Sequence, residues 1–68
     1  VMETGKLIER LKIVIEKKQK SYEILTDLAE QPIDTELKEI FGQMAYEEFV
    51  GLCTLLGKYE ILKNKPLE

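Results

Sequence analysis

The sequence contains no histidine, no tryptophan and a single cysteine. The missing histidine removes the commonest metal ligand and the side chain that most often acts as a base near neutral pH. A lone cysteine, Cys53, has no partner for an internal disulfide, and with no histidine anywhere it has no neighbour of that type to activate it; it reads as a small buried apolar residue. Prolines number only two, Pro32 and Pro66, so there are few places where a helix must stop. No run of about 18 uncharged apolar residues exists, which excludes a membrane span of the usual kind. The N-terminal stretch carries charge at Glu3 and Lys6 and has no secretory-signal pattern, so a reducing cytoplasm is the expected location.

What is present is a mixture of apolar and charged residues. Of 68 residues 44% are apolar and 34% charged, with 13 acids against 10 bases. One domain is the most such a length supports, and a domain this small buries only ~60% of its unfolded surface. The acidic excess is too slight to mark an acidic tail or to argue for a nucleic-acid partner.

Helical pattern is broken in the middle of the chain only at Gln31-Pro32-Ile33-Asp34. Proline pushes the residue before it out of helical geometry. Asp34 is placed to cap a second helix, and Glu36 suits the positive end of its dipole. Asn64-Lys65-Pro66 is the second natural stop. The spacing predicts an all-α, antiparallel two-helix hairpin filling residues 1–68 as one domain, with a helix over about 4–30, a turn at 31–34 and a helix over about 35–63.

In the first helix Ile8, Leu11, Ile15, Lys18, Tyr22, Leu25 and Ala29 recur at alternating steps of 3 and 4 and form a seam, widened by Leu7, Val14, Ser21 and Leu28. In the second the seam reads Leu37, Phe41, Met44, Glu48, Gly51, Leu55, then Tyr59 or Lys58, and Leu62. Each seam holds one charged residue near its centre. Lys18 lies 12 residues before Glu30 and Glu48 lies 13 after Thr35, so an antiparallel hairpin brings the two level. Burying either charge alone is costly, whereas a hydrogen-bonded pair is tolerated. A buried or half-buried Lys18–Glu48 ion pair is expected, and Glu48→Gln is expected to cost a few kcal/mol. Tyr22, one turn from Lys18, has a hydroxyl within reach of that pair.

Apolar residues also lie off the seams: Ile13 and Ile24 on the first helix, and Phe49, Val50, Cys53, Leu56 and Ile61 on the second. A helix apolar on most sides must be covered on more than one. A hairpin offers only one neighbour, so a homodimer forming a four-helix bundle, or a higher oligomer, is the economical solution; another helical protein would serve as well. Ile13, Ile24, Phe49, Val50, Cys53 and Leu56 are the expected interface. Gly42, Gly51 and Gly57 each lower helix propensity by up to ~1 kcal/mol and allow close helix contact at an interface. The run Lys17-Lys18-Gln19-Lys20 is flanked by Glu16 and Glu23 and has no interleaved aromatic residue, so it reads as a solvated face and neither nucleic acid nor membrane is expected as a partner.

The stretch from Asp34 to Glu48 resembles the second helix of a ferritin-like, rubrerythrin-type helix pair. Phe41, Ala45 and Glu48 fall on that family's pattern of Phe, Ala four later and Glu three after that. The family's histidine, three beyond the Glu, is Gly51 here. Anchoring the preceding helix on Leu28-Ala29 puts Lys18 at the family's ligand Glu and Leu25 at its Tyr. Di-iron carboxylate bundles need a Glu from one helix and a Glu-x-x-His from the next. Of these only Glu48 remains, and Lys18 supplies a fixed positive charge where a dication would sit. The resemblance implies a ferritin-like fold without catalytic residues or cofactor, its metal site at Lys18, Glu48 and Gly51 replaced by an ion pair. The expected role is an assembly or protein-interaction module. The alternatives are a carboxylate-only metal or redox protein drawing on Glu16, Glu23, Glu47 and Glu48, and an adaptor or chaperone hairpin receiving a partner helix.

Overall fold

A computed structural model of the chain describes residues 3–64; Lys65 and Pro66, part of the expected second stop, lie outside the described residues. Two helices fill them: α1 over Thr4–Glu30 and α2 over Thr35–Lys63. They pack side by side as an antiparallel all-α hairpin.

The turn is made without glycine, and no described residue has a positive φ. Gln31 leaves α1 in an extended conformation (φ −70°, ψ 156°) ahead of Pro32, and its amide returns a hydrogen bond to the Leu28 carbonyl at 3.3 Å. Asp34 caps α2: its Oδ1 accepts from the Leu37 amide at 2.9 Å, while Glu36 and Lys63 lie at the helix ends whose dipole charge they oppose. Glu3, ahead of α1, makes no side-chain capping bond.

That contact is a heptad stripe on each helix. On α1 the half-buried residues include the whole seam, Ile8, Leu11, Ile15, Lys18, Tyr22, Leu25 and Ala29. On α2 the covered stripe is Phe41, Ala45, Glu48, Leu52, Leu55, Tyr59 and Leu62, with Gly51 beside it. This corrects the second seam. Leu37 and Met44 are exposed, Ala45 and Leu52 take the inner positions, and Tyr59 rather than Lys58 faces α1. Two frames share Phe41, Glu48, Leu55 and Leu62, and periodicity alone does not separate them. The register does: with Lys18 level with Glu48, Tyr22 arrives at Ala45, where a methyl group leaves room for a phenol ring.

Coverage is thin. Ala45, 7% exposed, is the one buried residue among those described, and thirteen large apolar side chains are exposed. Cys53 is exposed rather than buried, because the α2 stripe that meets α1 runs along the opposite flank of its turn.

Candidate functional site

The centre of the hairpin holds its one inter-helix ion pair among the described residues. Lys18, midway along α1, donates from Nζ to Oε2 of Glu48 on α2 at 3.3 Å. Both positions belong to the contact stripes, and the antiparallel register brings them level, as the heptad count requires. Their side chains keep 36% and 28% of their surface, so the pair is half-buried and water reaches both ends. Water lowers the cost of separating the charges, and the few kcal/mol expected for a sealed pair falls toward ~1 kcal/mol in the isolated hairpin.

Gly51, one turn beyond Glu48, shapes the space around the lysine. A Cβ on Gly51 would stand 3.6 Å from Lys18 Nζ, 3.7 Å from Cε and 3.9 Å from Cδ. The end of the lysine side chain thus lies against the bare backbone of α2. Any side chain longer than a methyl group at position 51 would compete with it for that space. The three positions singled out from the sequence, Lys18, Glu48 and Gly51, form one cluster: a cation, its counter-charge, and the gap that admits the cation. Among the described residues no three His, Cys, Asp or Glu side chains gather as a metal-binding group. Glu16, Glu23 and Glu47 are exposed.

Beside the pair, Tyr22 and Phe49 stack with ring centroids 5.8 Å apart and planes tilted by 43°. The Tyr22 ring packs across α2, and Thr26 Oγ1 bonds to the Tyr22 carbonyl at 2.9 Å. Tyr22, Thr26, Gly42, Ala45, Tyr46 and Phe49 line a shallow depression on this side of the hairpin. The basic run is split. Lys18 turns inward, while Lys17 and Lys20 stay on the outer surface of α1 with Glu16, around an open hollow floored by Ile24 and Leu25.

The expected interface residues are all exposed, but they do not share a side. At 100° per residue, Phe49, Cys53 and Leu56 follow one another along the Tyr22 side of α2. Val50 lies on the outer surface of α2, and Ile13 and Ile24 on the surface of α1 farthest from α2. A single flat interface cannot cover all six. Periodicity did not single out Ala45, although its spacing from Phe41 and Glu48 carried that signal.

Comparison with protein-family models finds no match, and comparison with curated proteins and with solved structures finds none either. The class defined by fold and site is therefore a small all-α two-helix hairpin, with an ion pair at its centre and no metal-binding cluster among its described residues. No helix of the described chain is long and apolar enough to cross a membrane.

Proposed function

We propose that the chain is a non-catalytic helical assembly module that pairs with a second copy of itself as a four-helix bundle. The observation carrying this reading is its deficit of burial. A compact protein of 7.9 kDa exposes about 4,400 Å², whereas this hairpin exposes 5583 Å². The excess, roughly 1,200 Å², exceeds the ~800 Å² that one partner contributes to a standard interface. A second hairpin layer covers such an excess by ordinary helix-on-helix packing.

The resemblance of Phe41, Ala45 and Glu48 to a ferritin-like helix belongs to the same reading, with the metal's place taken by Lys18. An ammonium group beside Glu48 neutralises the carboxylate and repels a divalent cation. The module then has a structural role, and its chemistry is that of docking.

Sedimentation equilibrium on the purified chain tests the assembly. The expected mass at micromolar concentration is twice 7.9 kDa. A strictly monomeric chain at that concentration removes the self-assembly reading. Elemental analysis of the same sample tests the second part: iron or manganese in stoichiometric amount would replace this reading with that of a carboxylate metal protein.

A further inference from the structure

We propose that the second copy packs across one particular side of the hairpin, the side bearing Leu7, Val14 and Leu28 of α1 and Leu37, Ile40 and Met44 of α2. There it joins the two Lys18–Glu48 pairs into one four-charge cluster. This rests on the self-assembly reading above and adds its interface.

The hairpin has two broad sides. The depression lined by Tyr22, Thr26, Gly42 and Phe49 marks one. On that side α2 is apolar from Gly42 to Leu56, but α1 contributes the exposed residues Lys12, Gln19, Glu23 and Glu30 beyond Thr26. A partner seated there would desolvate charges without pairing them. Across the contact stripe from Thr26, α1 presents Leu7, Val14, Ser21 and Leu28, spaced by seven. Across the stripe from Gly42 and Phe49, α2 presents Leu37, Ile40 and Met44, followed by Gly51. The rows next to the contact stripe are apolar on both helices only on this second side, whose outer rows also carry Arg10 and Lys17 on α1 and Glu47 and Lys58 on α2. Its six large side chains remain 39–46% exposed, which leaves an apolar face flanking the seam without a cover.

The α1 row of the face is self-complementary, while on α2 the same level sets Ile40 opposite Lys58 of the second copy. The α1 series is symmetric about a point between residues 17 and 18. A two-fold axis crossing the helices at that level, with the turns at opposite ends, sets Leu7 against Leu28 of the second copy and Val14 against Ser21 of the second copy. Lys18 and Glu48 stand at the same level. Each pair therefore meets its symmetry mate near the axis. A lysine carries three donors, one of them engaged with Glu48 at 3.3 Å, and a second is free for the other carboxylate. Two lysines and two glutamates carry no net charge, which allows a burial that one exposed pair does not need. Gly51, against which the lysine lies, keeps the α2 backbone low where the layers approach.

Single charges placed on each side locate the interface. Val14→Glu and Met44→Glu change residues already exposed in the hairpin, so helicity measured by circular dichroism is expected to survive while the protein sediments as a monomer. Phe49→Glu and Leu56→Glu, on the other side, are expected to leave a dimer. Dimers that survive Val14→Glu and dissociate with Phe49→Glu overturn this face and leave self-assembly standing. A wild-type chain that never dimerises overturns self-assembly itself.

The charge cluster has its own test. K18E and E48K each place like charges at the axis, and each is expected to weaken assembly by roughly a hundredfold or more. An equimolar mixture of the two puts a doubly acidic copy against a doubly basic one. Native mass spectrometry is expected to show the mixed dimer dominating. A mixture that associates no better than the separate variants overturns the meeting of the two pairs.

Discussion

Gly42 and Gly57 sit inside α2, where nothing among the described residues requires them. A Cβ added at either position meets no atom within 4 Å, and neither has a positive φ. In the hairpin these glycines only cost stability, because each must give up more backbone freedom on folding than alanine does. Replacing either with alanine is expected to stabilise the hairpin by about 0.8–1 kcal/mol. They stand 15 residues apart on one helix, about 22 Å, so the two gains should add. In a chain of this size each kcal/mol moves the melting temperature by roughly 4–8 °C, giving the double variant a shift on the order of 10 °C. Thermal and urea unfolding, followed by circular dichroism at one fixed protein concentration, reads both numbers. Gly51→Ala serves as the contrast. Its Cβ would touch Lys18 Nζ at 3.6 Å, an ordinary contact that removes water from the ammonium, and so it should gain less. Gly42 also lies on the Tyr22 side, away from the proposed dimer face, so its gain should persist in the assembled protein. A loss of stability on Gly42→Ala would refute the reasoning. It would mean that atoms from outside the chain pack against that glycine, and that the interface lies on the other side.

Two further expectations concern the pair and the cap. In a chain held monomeric by Val14→Glu, a double-mutant cycle with Lys18→Met and Glu48→Gln should give a coupling of about 1 kcal/mol, reduced to about half in 1 M salt; a coupling under ~0.3 kcal/mol would make the contact a solvated one without energetic weight. Asp34→Ala should cost about 1 kcal/mol in urea unfolding because the Leu37 amide loses its acceptor, whereas Glu3→Ala, with no capping bond to lose, should stay within a few tenths; equal effects at the two positions would contradict the cap assignment.

The parts of the fold that were legible in advance are those governed by local chemistry. Pro32 and Asp34 specify a stop and a start, and the structure uses both. The α1 stripe from Ile8 to Ala29 was readable because its frame is apolar at Ile8, Ile15, Tyr22 and Ala29, whereas the neighbouring frame through Leu7, Val14 and Leu28 is interrupted by Ser21. On α2 the apolar residues are so numerous that the frame through Met44 and Gly51 competes with the frame through Ala45 and Leu52. Hydrophobicity favours the larger Met44, whereas packing against Tyr22 favours the smaller Ala45. Cys53 was misplaced for the same reason: on a helix apolar around most of its circumference, composition does not say which flank is covered. The central ion pair was legible because two opposite charges interrupt two stripes at one level, and it stands at 3.3 Å.

Residue chemistry along the chain thus determined the helices, the turn between them and the level at which Lys18 meets Glu48. Backbone propensity, capping and heptad spacing act over a few residues and need no knowledge of the neighbour. Only the tertiary structure decided how far α2 is rotated about its axis, how much of the ion pair water still reaches, and that the lysine rests against Gly51. Those outcomes depend on which side chains fit opposite one another when two helices close together. They leave an apolar side on both helices that nothing in the hairpin covers.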